Sequence, residues 1–149
     1  MIRLSFLSLL LVAALAASLA AATDASPEAR IDQLGGRVTR DASGVATVVD
    51  LRNTPVEKED VARLAELPGV KKLVLWGPAI GDDALPALKD YPALVDLTLQ
   101  NTSVTDEGVR HLQAVEKLRS LSLNGSSGIT NQAANTLAEM RDLTHISLP

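Results

Sequence analysis

The stretch LTLQNTSVTDEG, residues 97–108, combines the signals of a short strand and of a helix start. Leu97 and Leu99 are apolar residues at strand spacing, and a single apolar residue, Val104, follows a bend at Thr102. The acidic residues after it suit the first turn of a helix, where negative charge is favoured. Whether this arrangement occurs once or repeatedly decides the fold.

The arrangement recurs along the chain with an almost constant period. When every copy is aligned on the second apolar residue of its strand, the reference residues are Leu51, Leu75, Leu99, Leu123 and Leu148. Their spacings are 24, 24, 24 and 25 residues, so one residue is inserted in the last copy. One strand–helix unit cannot bury both of its apolar faces, whereas stacked copies can. Residues 48–149 are therefore predicted to form four stacked repeats and a final strand.

Each copy also has apolar residues every three or four positions, which predicts a two-turn helix. The predicted buried stripes are Val61, Leu64, Leu67; Leu85, Leu88, Tyr91; Val109, Leu112, Val115; and Ala134, Leu137, Met140. Between strand and helix, a bend holding Thr54, Pro78, Thr102 or Ser126 precedes one apolar residue that we call the plug. The predicted plugs are Val56, Ile80, Val104 and Ile129.

The pattern LxxLxLxx(T/S)xxxT(D/N)xG, which covers residues 46–149, resembles leucine-rich repeats, particularly the helical type of short exported bacterial proteins. The resemblance is specific because four plugs, four helix stripes and five strands share one period. It implies an α/β fold, a right-handed leucine-rich-repeat solenoid with a short parallel sheet on its concave side and helices on its convex side. The bend position departs from the family pattern, because it holds Thr, Pro or Ser in place of the usual Asn.

The first 22 residues differ in composition from the rest of the chain. Arg3 precedes an uncharged apolar stretch that ends in Ala20-Ala21-Ala22, which is the pattern of a secretory signal peptide. A retained membrane anchor is the alternative, although the alanine-rich second half of the stretch is only weakly apolar. We predict a signal peptide over residues 1–22, export to the periplasm or the cell exterior, and no stable membrane insertion after cleavage.

Residues 23–47 are predicted to form a linker and an N-terminal cap on the first repeat. The triplet SPE at residues 26–28 supplies a capping serine, a proline suited to the first helical position and an acidic first turn. Ile31 and Leu34 give this short helix an apolar side, and two glycines end it. The following residues 37–51, RVTRDASGVATVVDL, predict two strands joined by a turn.

Composition excludes several classes of site. The chain has no cysteine, so it has no disulfide, no thiolate metal ligand and no lipid-modified cysteine. Without Arg3 there are 13 basic and 18 acidic residues and no clustered basic face, which argues against nucleic-acid binding. After residue 22 the chain has 18 leucines but only Trp76 and Tyr91 as aromatic residues, which predicts a core of aliphatic layers.

Alternate residues of the predicted strands point away from the leucine core and form the concave face. The three predicted rows are Val48, Lys72, Asp96, Ser120, His145; Asp50, Val74, Thr98, Ser122, Ser147; and Arg52, Trp76, Gln100, Asn124, Pro149. Solenoids commonly bind ligands on such extended surfaces. The predicted ligand-binding residues are Arg52, Lys72, Trp76, Asp96, Thr98, Gln100 and Asn124.

Trp76 is the most informative residue of this predicted face. An accessible tryptophan beside Arg52 and Gln100 has the composition of an interface hot spot. The alternative is that its indole lies flat over the bend and covers Pro78.

The sequence predicts no catalytic, cofactor or metal site. His145 and Asp96 are two strands apart in one row, about 10 Å at a strand separation of about 4.8 Å, which is too far for general-base catalysis. His111 is expected on a solvated helix surface. No serine stands in a recognised nucleophile motif, and the paired acids at helix starts are explained by the helix dipole without a metal.

The predicted function is a non-catalytic module that binds a protein or an envelope polymer through its concave face. The alternative is a structural protein that assembles through its last repeat, because no helix or polar cap follows the fifth strand. An open strand edge can pair with another chain, so weak self-association through this edge is expected. Pro149, which lacks an N–H, blunts the edge.

Overall fold

The computed structural model describes residues 26–149, in which a single sheet alternates with helices. The strands are β1 Arg37–Arg40, β2 Ala46–Asp50, β3 Lys72–Trp76, β4 Asp96–Gln100, β5 Ser120–Ser122 and β6 His145–Ser147. The helices are α1 Pro27–Leu34, α2 Lys58–Leu64, α3 Asp106–His111 and α4 Asn131–Glu139, with two 3-10 helices at Asp82–Asp90 and Leu112–Ala114. The predicted signal peptide, residues 1–22, and the start of the predicted linker lie outside the described residues.

The six strands lie side by side in the order in which they occur along the chain. β1 pairs antiparallel with β2, and every later pair is parallel, with a helix in each parallel connection. The predicted α/β class is confirmed. The predicted register is also confirmed, because Leu73 pairs with Leu97, Leu97 with Leu121, and Leu121 with Ile146. Each strand thus lies one sequence period from its neighbour.

Aliphatic side chains fill the space between the sheet and the helices. Leu75, Leu99 and Leu123 are fully buried, as are the plugs Ile80 and Val104. Tyr91 is the one aromatic residue in this buried cluster of the described chain, and its hydroxyl donates a 2.6 Å hydrogen bond to the Val61 carbonyl oxygen. Burial raises the pKa of this phenol, which therefore acts as a neutral donor between two successive repeats.

Val74 belongs to the outward row that the sequence predicts, but it is buried at 5% exposure and offers little surface to a ligand. Its position in the strand alternation is the predicted outward one, opposite Asp50 and Thr98. The next residues on the same side of the strand, Lys72 and Trp76, are much larger. A short side chain between two much larger ones on the same strand loses contact with solvent even where the sheet surface as a whole is open.

The predicted stripe of the fourth helix is wrong at Ala134, which is exposed, while the adjacent Ala133 is buried. Ala133 is equivalent to Gly108, one repeat earlier, where an added Cβ would overlap Asp82 of the repeat before it. This position faces the preceding repeat. Ala134 faces the opposite way, into a shallow groove that it shares with Leu137, Ile146 and Leu148.

The last strand differs from the others in exposure. Ile146 is 47% exposed and Leu148 is 44% exposed, so Leu148 is not the core residue that the alignment of the repeats predicts. No described residue packs over the outer side of this strand, whereas β4 and β5 have a paired strand on both sides.

Among residues 26–149, no helix has the length and apolar character needed to cross a membrane.

The second repeat has a 3-10 helix, Asp82–Asp90, where the apolar spacing predicts an α-helix. Pro86 lies inside it. Proline has no N–H and its ring clashes with the carbonyl four residues earlier, so it disfavours a regular α-helix. The predicted stripe residues Leu85 and Leu88 are nevertheless fully buried.

A residue with positive φ follows the strand in each of the four repeats. These residues are Asn53 (58°), Gly77 (103°), Asn101 (54°) and Gly125 (77°). Glycine adopts this left-handed conformation without steric cost, and asparagine does so more readily than other residues. The repeated Asn or Gly therefore turns the chain from the strand toward the plug in every copy.

Side-chain hydrogen bonds join the helix starts of successive repeats. The Asp82 carboxylate accepts from the N–H and the hydroxyl of Thr105, at 2.7 and 2.6 Å. Asp106 accepts in the same way from Thr130, at 2.8 and 2.6 Å. The hydrogen bonds from Thr130 hold the pKa of the Asp106 carboxyl below its ordinary value. These bonds set the stacking distance on the helix side of the sheet.

The predicted helix and hairpin of the N-terminal cap are present. Ser26 caps α1 by accepting from the Ala29 N–H at 3.3 Å, and Gly35 ends the helix with φ of 78°. An ion pair then joins α1 to the first repeat, with Arg30 Nε 2.6 Å from Asp60 Oδ1. Asp60 occupies the position that Ala133 holds in the fourth repeat, and it is buried at 5% exposure.

Candidate binding surface

The side of strands β2 to β6 that carries the three predicted rows is called the outer sheet face. The first two rows pair in register across the whole sheet, from Val48 to His145 and from Asp50 to Ser147. In the third row, Trp76 pairs with Gln100. The structure therefore brings together the residues that the sequence placed on one face, because the leucines between them are held in the core.

The four Asp, Lys and Arg side chains of the three rows form two ion pairs with one another. Arg52 Nε lies 3.0 Å from both carboxylate oxygens of Asp50, and Lys72 Nζ lies 2.8 Å from Asp96 Oδ2. The hydrogen bonds from Arg52 hold the pKa of the Asp50 carboxyl below its ordinary value. Two predicted binding residues, Lys72 and Asp96, thus neutralise each other across β3 and β4.

Hydroxyl and amide groups occupy the other half of the outer sheet face. Thr98 pairs with Ser122, and Ser122 pairs with Ser147 in the next strand. Asn124 joins this row, since its amide donates to Ser122 at 3.1 Å and its carbonyl accepts from Ser147 at 3.0 Å. These hydrogen bonds fix the orientation of the Asn124 amide. Gln100, its partly exposed neighbour in the preceding repeat, lies in the third row.

Trp76 lies in the third row at the end of β3 and is half-buried rather than open. Pro78 is exposed, which speaks against the alternative that the indole covers it. The partly exposed indole lies beside the uncharged half of the face, because Gln100 is its register partner on β4.

Sequence reasoning missed Arg37 because the N-terminal hairpin was interpreted only as a cap. β1 pairs antiparallel with β2 and places Arg37 opposite Asp50. Together with Gly35, Arg52 and Asn53, these residues line a cavity of about 270 Å³ at the N-terminal end of the sheet. Reading the hairpin as an additional strand of the face could have found this arginine.

The two histidines do not form a catalytic arrangement with the acids. Ser120 separates His145 from Asp96 in the ladder of paired strands, and Asp96 is paired with Lys72 instead. His145 Nδ1 lies 2.9 Å from the hydroxyl of Thr144, and His111 is exposed at the end of α3. Within residues 26–149, no group of three or more His, Asp and Glu side chains is placed to hold a metal ion.

No family model matches the chain, and none of the curated proteins compared with it matches it either.

Proposed function

We propose that the chain is a leucine-rich-repeat solenoid of the cell envelope or exterior that binds a protein or polymer ligand without catalysis. The proposal is supported by strands that pair one sequence period apart and by two helices, α3 and α4, that begin with the same hydrogen-bonded Asp–Thr arrangement. In such a solenoid the outer sheet face is the concave face, where extended ligands commonly bind.

The observation that carries the proposal is the outer sheet face itself. Trp76, Gln100 and Thr98 are partly exposed, yet each stands on a strand whose neighbouring residues are buried leucines. Side chains on rigid strands lose little conformational freedom when a ligand binds, which favours affinity. A partly exposed tryptophan among such residues supplies the large contact area that dominates binding energies.

Replacing Trp76 with alanine tests this function. We expect capture of the ligand from a solubilised bacterial envelope fraction by the immobilised protein to fall about tenfold or more, because aromatic hot spots supply much of the binding energy. Quantitative mass spectrometry of the captured material measures the effect.

The matched control is His111→Ala, because His111 is also exposed but lies on a helix at the other side of the sheet. This variant is expected to capture the same material as the unmodified chain. Equal capture by the Trp76→Ala protein, with an unchanged unfolding transition, would overturn the role of Trp76.

Self-association through the last strand is the second candidate function. It is favoured by Ile146 on the outermost strand of the described sheet and by Leu148 just after it, which are 47% and 44% exposed. Sedimentation velocity across a wide concentration range tests it. A concentration-dependent increase in mass that Ile146→Asp abolishes supports assembly through this edge, since a charge there opposes apolar contact. A strict monomer at high concentration contradicts it.

A further inference from the structure

We propose that the ligand of the outer sheet face is a neutral glycan chain. This proposal rests on the binding function proposed above and specifies the chemical class of the ligand. The four Asp, Lys and Arg residues of the three rows form two ion pairs, Asp50 with Arg52 and Lys72 with Asp96. A polyanion such as a nucleic acid requires basic groups that are free to replace its counterions. Every lysine and arginine of these rows is already paired with a carboxylate, and β1 adds one further arginine beside them, Arg37, opposite Asp50. A single arginine is not the clustered basic surface that a polyanion needs.

The remaining groups of the face match the chemistry of a sugar. Thr98, Ser122 and Ser147 form a row of hydroxyls, and each hydroxyl both donates and accepts hydrogen bonds, as sugar hydroxyls do. Asn124 and Gln100 add planar amides that present a donor and an acceptor together. The Asn124 amide already forms hydrogen bonds with the hydroxyls of Ser122 and Ser147, so these three side chains are oriented before a ligand arrives.

Trp76 supplies the apolar contact that a sugar ring also needs. One side of a pyranose ring is formed largely by C–H groups, and it packs against the face of an aromatic ring. The indole additionally carries one N–H donor. Gln100 is its register partner on the next strand, so stacking and amide hydrogen bonding are available within one strand separation.

The geometry of the sheet suits a chain of sugars rather than a single one. The hydroxyl row crosses β4, β5 and β6, whose separation of about 4.8 Å is close to the length of one pyranose unit. A glycan lying across the strands therefore meets an equivalent polar residue at each sugar. An apolar peptide, by contrast, would need a continuous apolar strip, which the rows do not provide.

The chain has a single tryptophan, so its tryptophan emission, excited selectively over that of tyrosine, reports on this surface alone. We expect at least one of chitohexaose, cellohexaose, maltohexaose and mannohexaose to change the Trp76 emission in a saturable way. Heparin and polylysine are the charged comparators. The glycan affinity is expected to stay within about twofold when NaCl is raised from about 0.1 M to about 1 M, which shortens the Debye length from about 10 Å to about 3 Å.

Gln100→Ala is expected to weaken binding of that oligosaccharide about two- to tenfold, the effect of losing one neutral hydrogen bond. Gln113→Ala is the matched amide control, because Gln113 is exposed on the helix side, where it bonds to Glu139. It is expected to leave the affinity unchanged.

The inference is overturned if none of the four oligosaccharides changes the emission, or if the only saturable binding is to a charged polymer and falls steeply with salt. Capture of envelope material that still depends on Trp76 would then leave the binding module intact and exclude only the neutral glycan. If no oligosaccharide binds and the capture of envelope material does not depend on Trp76 either, the ligand class and the binding function are both overturned.

Discussion

Replacing Leu99 with alanine is expected to lower the free energy of unfolding by about 2–5 kcal/mol. Leu99 is fully buried in the central strand β4 and pairs with Leu75 of the preceding repeat. The substitution removes apolar contacts and leaves a cavity in a layer that has strands on both sides. Urea denaturation followed by circular dichroism measures the change.

Thr98→Ala is the control, because Thr98 is adjacent in sequence but lies partly exposed on the outer sheet face. We expect its cost to stay within about 0.5 kcal/mol. Comparable costs for the two variants would mean that the alternation of buried and outward residues in β4 is wrong.

Replacing Arg30 with methionine gives the second large expected effect. Breaking a fully buried ion pair from one side costs about 3–5 kcal/mol, and we expect about 2–3 kcal/mol here because the Arg30 side chain is 31% exposed. Methionine retains an unbranched apolar side chain but leaves the buried Asp60 carboxylate without its cation. The measurement is again the urea midpoint, with Arg40→Met, which breaks the exposed pair with Glu28, as the control.

The pH dependence separates charge from packing in this variant. Desolvation alone would raise the Asp60 pKa, but the hydrogen bonds from Arg30 and from the Glu57 N–H outweigh it and leave the pKa lowered. Such a group contributes stability above its unfolded pKa and loses it as pH falls through the folded value. Without Arg30 the burial raises the folded pKa, so the cost of Arg30→Met should be larger at about pH 7 than at about pH 3.

Arg30→Met combined with Asp60→Ala is expected to recover part of the loss, because Ala84 holds the equivalent position in the next repeat. The cap would then dock without a buried charge. A cost of Arg30→Met that is the same at both pH values would show that the arginine acts through packing instead.

The repeat pattern predicted the order and register of the strands because leucines at a fixed spacing have one way to stack in layers. The pairing of Leu97 with Leu73 and with Leu121 follows directly from that spacing. The cap helix was also predictable, since Ser26 and Gly35 act locally. Such features depend on residues close in sequence or repeated at one period.

Exposure was less predictable, because neighbouring side chains decide it. Val74 has the outward position of its strand, yet larger neighbours bury it. Ala134 is apolar but faces the open groove beside the last strand. The Asn or Gly at the left-handed turn also recurs with the period of the repeats, but a pattern of apolar residues alone does not indicate backbone conformation.

For the candidate surface, the sequence indicated which residues share a face but not how they pair. Lys72 and Asp96 differ by one period and so could have been predicted as partners. The two bonds that orient Asn124 depend on rotamers, which the residue pattern does not specify. The half-burial of Trp76 likewise depends on the side chains around it.

An alanine scan of β4, Asp96–Gln100, tests the stacking of the repeats most directly when unfolding free energy is measured for every variant. We expect an alternating profile, with costs of about 2–5 kcal/mol at Leu97 and Leu99 and costs below about 1 kcal/mol at Asp96, Thr98 and Gln100. A flat profile, or one with its largest costs at Thr98 and Gln100, would contradict the register on which both the fold and the binding surface depend.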